Sequence, residues 1–96
     1  MTTISEISAI IDEMLRLLPG ERNYNASFEK VSRLLTEKHS CSVSALDLRF
    51  RFTLFMQEEF DAVPREKWRI NDSSWLAEIE LKAKEKLLEW IEQEIA

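Results

Sequence analysis

With 96 residues and a formal net charge of −5, the chain is long enough for one domain with a modest core. Hydrophobic residues make up 45 % of it, which excludes a disordered acidic tail, and no apolar run is long enough to cross a bilayer. One glycine and two prolines are too few for an all-β fold built on tight turns, so a single helical domain over residues 1–96 is expected.

The first segment predicts an amphipathic helix over residues 5–18. Ile4, Ile7, Ile11, Met14 and Leu18 recur at steps of three and four and so share one face, which Ile10 and Leu17 widen. Thr3 with Glu6 reads as a capping box. Pro19 and Gly20 end the helix, because a residue before proline avoids the helical region and glycine eases a turn. Residues 19–27 read as a loop, with Asn25 or Ser27 as the cap of a second helix that carries Phe28, Val31, Leu34 and Leu35 and ends near Lys38.

Residues 39–44 are small and polar and read as a linker. Ser44 with Asp47 forms another capping box. The stretch after it fits two patterns. Leu48, Phe50, Phe52 and Leu54 alternate with Arg49, Arg51 and Thr53 as in a strand, while Leu48, Phe52, Phe55, Met56 and Phe60 follow a helix period over a longer run. The cap and the length favour a helix over residues 45–61. Pro64 then opens a short helix through Lys67, and Asn71 to Ser74 cap a final helix over residues 74–94. Its buried face is Leu76, Ile79, Ala83, Leu87, Trp90 and Ile91, with Leu81, Leu88 and Ile95 as a second apolar strip. Its glutamates, Glu80 included, and Lys82, Lys84 and Lys86 form the expected wet side. The expected fold is an all-α bundle of four main helices with an additional short helix near Pro64. Its expected core is Ile7, Ile11, Met14, Phe28, Leu35, Phe52, Met56, Phe60, Trp68, Ile79, Leu87 and Ile91.

Charge is uneven along the chain: residues 1–20 carry −2, residues 21–54 carry +2 and residues 55–96 carry −5. An acidic chain repels nucleic acid unless a basic face is segregated, and only Arg49 and Arg51, with Arg33 and Lys38, hint at one. Cys41 and His39 are the only residues of their types, so neither an internal disulfide nor a zinc cluster is expected, and no metal site is assigned. A Cys–His pair is one way to build a nucleophile, but a helix-end histidine and a half-buried thiol explain both residues more simply. No phosphate-binding glycine loop is present, and an enzyme is not expected. The amino-terminal residues lack the basic start and apolar block of a signal peptide, so the expected compartment is the cytoplasm, with no membrane association.

Several stretches resemble an acyl carrier protein. Thr2 to Leu18 is similar to the first carrier helix, with its Ile10–Ile11 pair. Asn25-Ala26-Ser27-Phe28 is similar to the loop in which a carrier buries a phenylalanine. Gln57-Glu58-Glu59-Phe60-Asp61-Ala62-Val63-Pro64 resembles the end of the second carrier helix, and Trp68 with Asn71 to Ile79 sits where carriers place their short third helix and the start of the last. The resemblance implies a phosphopantetheine arm on a serine at the start of the second carrier helix. The carrier Asp-Ser-Leu motif is absent; Ser44, in Ser44-Ala45-Leu46-Asp47, is the nearest position, preceded by Val43, and as a plain residue it is a helix cap. The competing expectation is a non-catalytic helical adaptor or inhibitor, including a carrier-like fold without its prosthetic group. It would bind a protein partner through the wide final helix and the Phe-rich third segment, at Arg49, Arg51, Leu81, Leu88 and Trp90, with a homodimer as one form. A third reading is a helix-turn-helix regulator over Val31 to Phe52, with Arg49 and Arg51 on the reading helix; the usual turn glycine is missing there.

Overall fold

The computed structural model describes residues 2–66 and 74–96. Among them are four α-helices and no strand: α1 (Thr3–Leu15), α2 (Tyr24–His39), α3 (Ala45–Asp61) and α4 (Ser74–Ile95), with a 3-10 turn at Pro19–Glu21. α1 packs on α2, α2 on α3 and α3 on α4, and α4 closes back on α1, which makes a small all-α bundle. Arg65 and Glu66 have 3-10 character after Pro64. The remainder of the short helix expected there, Trp68, and the Asn71-to-Ser73 part of the expected cap lie outside the described residues.

The helix period accounts for what is buried. Ile7, Ile11 and Met14 of α1, Phe28, Val31 and Leu35 of α2, Leu48 and Phe52 of α3, and Ala83, Leu87 and Ile91 of α4 form one cluster. Phe28 and Phe52 meet at its centre, 5.8 Å apart and tilted. Met56 and Phe60, expected in the core, are only half-buried, and Phe60 packs against Trp75 at 5.6 Å. α4 is flanked by α1 on one side and α3 on the other, and Leu88 and Ile95 of its second strip pack against the core, while Leu81 stays half-exposed.

Two helix starts differ from expectation. Thr2, not Thr3, caps α1 by accepting from the Ser5 N–H at 3.1 Å, while the Thr3 hydroxyl lies 2.9 Å from His39 Nε2 at the end of α2. Asn23, not Asn25 or Ser27, caps α2 by accepting from the Ala26 N–H at 3.0 Å, so α2 begins four residues before Phe28. α1 also stops at Leu15, short of Leu18, and Gly20 is not in the left-handed region, so the turn does not depend on glycine. Ser40 is the residue that takes a left-handed conformation, φ 51° and ψ 30°, and closes α2 with its N–H on the Thr36 carbonyl.

Arg22 explains why α1 ends early. Its guanidinium donates to the carbonyls of Leu15, at 3.1 Å, and Leu17, at 2.9 Å, and so takes up groups that the helix leaves unpaired. It also donates to the Tyr24 hydroxyl and to both carboxylate oxygens of Glu80 on α4. The two charged side chains are only 5 % and 11 % exposed, so Glu80 belongs to the interior and not to the wet side of α4. Burial works against the guanidinium charge, but the hydrogen bonds and charge of Glu80, aided by Tyr24, outweigh it and hold the Arg22 pKa above its ordinary value. Lys84 to Asp12 (2.6 Å) and Lys86 to Glu59 (2.8 Å) and Glu58 (3.3 Å) tie α4 to α1 and α3.

Candidate functional site

α3 carries apolar residues on two faces. Leu48 and Phe52 point into the core, while Leu46, Phe50 and Leu54 point outward and are 74 %, 62 % and 39 % exposed. Residues four apart stack along one side of a helix, so these three form a continuous row. Ser44 starts this helix: its hydroxyl accepts from the Asp47 N–H at 3.1 Å, and the residue is exposed.

Arg49 and Arg51 flank the row and turn to opposite sides. Arg51 lies over the Trp90 ring of α4, 4.5 Å from its centroid. Arg49 lies over Tyr24 at 5.6 Å and donates to Asn25 Oδ1 at 2.9 Å, on the α2 side. Cation–π contacts of this kind contribute about 0.5–1 kcal/mol when exposed. Neither arginine has a carboxylate partner among the described residues. An open groove of about 450 Å3 runs between the start of α3 and the end of α4, lined by Ser42, Val43, Asp47, Phe50, Arg51, Trp90 and Glu94.

The five positions expected to bind a partner are therefore not one patch. Arg51 and Trp90 meet at the seam of α3 and α4, and Arg49 sits across the helix toward α2. Leu81 is half-exposed beside α1, in a groove with Asp12, Leu15 and Arg16, and Leu88 is half-buried against the core. The Phe-rich third segment was expected to meet a partner, but not as the outward row Leu46, Phe50 and Leu54. Their signal was the strand-like alternation of residues 48–54: every second residue was apolar because both sides of one helix are.

His39 is tethered to Thr3, no carboxylate orients its ring among the described residues, and Cys41 packs against the core. Among the described residues no group of three His, Cys, Asp or Glu side chains has the geometry to hold a metal, and no helix is long and apolar enough to cross a membrane. The arrangement offers a rigid apolar helix face with positioned arginines on its flanks, which suits docking of another helix. In comparison with known proteins, the chain matches no protein family, no curated protein and no solved structure.

Proposed function

We propose that this chain is a non-catalytic helical adaptor or inhibitor that binds protein through the outer face of α3. The observation that carries the reading is the exposed row Leu46, Phe50 and Leu54, where a soluble helix ordinarily presents polar groups. Aromatic residues and Arg are enriched in protein interfaces, and Phe50, Trp90 and Arg51 line one groove here. Arg49 and Arg51 splay to opposite flanks, which disfavours the helix-turn-helix reading, since a recognition helix sends its base-reading side chains into one groove. A reducing compartment such as the cytoplasm suits the single thiol, Cys41. The test is affinity capture from the encoding organism with the wild type and with Phe50→Asp. Loss of the same bound proteins in the variant supports the reading; an unchanged set refutes it.

The acyl-carrier reading stands second, on the exposure of Ser44 at the first turn of α3. A helix N-terminus favours the phosphate of a phosphopantetheine arm, and the arm would supply thioester chemistry while the bundle presents it. Intact mass after incubation with coenzyme A and a broad-specificity phosphopantetheinyl transferase decides it. A gain of one phosphopantetheine, absent in Ser44→Ala, makes the chain a carrier. No gain, with a known carrier modified in the same tube, removes that function.

A further inference from the structure

We infer that the occupant of the outer face of α3 is a second copy of this chain, docked antiparallel about a two-fold axis beside Phe50. This rests on the reading of that face as a docking surface and names what it docks. The exposed apolar row is symmetric about its middle residue. On the outward face the mirror pair is Leu46 and Leu54 about Phe50, while Leu48 and Phe52 at the same spacing belong to the core. Two antiparallel helices related by a two-fold axis bring residues at equal distances from the centre together. Phe50 of one copy meets Phe50 of the other, and Leu46 meets Leu54, so the three exposed large apolar side chains of α3 cover one another.

The charges on one flank are self-complementary in this arrangement. Asp47 and Arg51 are four residues apart and so lie on the same side of α3. An antiparallel two-fold pairing sets like flanks side by side, and Asp47 of one copy then falls about 3 Å along the axis from Arg51 of the other, two residues at the helical rise. Arg51 is held in place over Trp90 and makes no ion pair among the described residues, so its guanidinium is positioned with donors to spare. The other flank would bring Arg49 toward Arg49 of the second copy. There the side chain is drawn back by its own Tyr24 and Asn25, which takes the like charges away from the axis. Glu94 of α4 lines the same groove as Asp47 and Arg51 and adds a second carboxylate on that flank. Three apolar side chains and one charged flank per copy fall short of a standard interface of roughly 800 Å2 and 20–30 residues per partner, so the dimer is a weak one.

Sedimentation velocity on the full chain, from about 5 to about 500 µM, tests the association on the scale of a weak complex. The expected result is a shift from 11.3 kDa toward twice that mass across the range, abolished by Phe50→Asp with unchanged helical circular dichroism. Cross-linking then tests the register in a Cys41→Ser background. Under mild oxidation Phe50→Cys gives a disulfide dimer, whereas Leu54→Cys does not, because its two copies stand about 12 Å apart along the axis. Equal cross-linking of both variants overturns the antiparallel two-fold. A wild type that stays at 11.3 kDa throughout overturns the second copy as occupant. If capture of other proteins is still lost on Phe50→Asp, the docking face itself survives that result; if capture is indifferent too, both readings fall.

Discussion

Polarity is inverted at two places in this bundle, in opposite senses. At the junction of α1, the 3-10 turn and α4, a charged pair, Arg22 and Glu80, is inside. On the outer face of α3, Leu46, Phe50 and Leu54 are outside. The difference teaches that burial follows from what surrounds a side chain and not from its type alone. Arg22 has acceptors on several sides and Glu80 has a bidentate donor, so both tolerate the interior. The α3 row has the composition of a core, and among the described residues its three large apolar side chains stay exposed.

The largest expected effect breaks the inside half of this contrast. Arg22→Met strands the buried Glu80 charge and uncaps α1, and should cost about 3–5 kcal/mol of unfolding free energy in urea titration. Pairing it with Glu80→Leu should recover most of that loss, since a well-packed apolar pair can replace a buried ion pair. Full retention of stability in the single variant would show that the pair is not structural.

Ser44→Ala should cost about 1 kcal/mol by removing the cap of the helix that presents the row, measured in the same titration. Ser40→Gly should raise stability by about 0.5–1 kcal/mol, because its left-handed conformation strains any residue with a Cβ, and a higher melting temperature would show it. Phe50→Ser, on the outside half, should change stability by less than about 0.5 kcal/mol while Phe52→Ala, on the same helix but in the core, costs about 3–5.

The smallest effect concerns pH. A hydrogen bond from Lys86 holds Glu59 below its ordinary value of 4.5, and the hydrogen bond to Glu59 raises Lys86 above 10.5. The Glu59 contribution is complete above pH 4.5 and is lost as pH falls through its lowered folded value. The Lys86 contribution is complete below pH 10.5 and is lost as pH rises through its raised folded value. Stability should therefore decline outside that window, and Lys86→Met should flatten both edges in denaturant titrations.

Much of the bundle was legible in the residues themselves, because α1, α3 and α4 carry long helical periods and α3 an unambiguous cap. The start of α2 was not, since Asn23, Asn25 and Ser27 are all good caps. Asn23 takes the role directly beside Arg22, whose anchorage involves a residue 58 positions away. The burial of Glu80 was hidden for the same reason: nothing near it in sequence announces its partner. For the candidate site, Arg49, Arg51, Trp90 and Ser44 were found as individual residues, but the outward row was not. A helix with two apolar faces has the alternation of a strand, and only the position of its neighbours says which face is left open.

The way the helices pack also sets how the chain reaches this state. Among the described residues, three of the four main helix interfaces join elements that follow one another, so folding should be fast, on the microsecond-to-millisecond scale of local topologies. The seam between α1 and α4 is the exception. Its links, Asp12 to Lys84 and Arg22 to Glu80, span 72 and 58 residues and form only when the two ends of the chain meet. That seam carries the entropic cost of the longest loop closure, and substitutions in it should accelerate unfolding more than they slow folding.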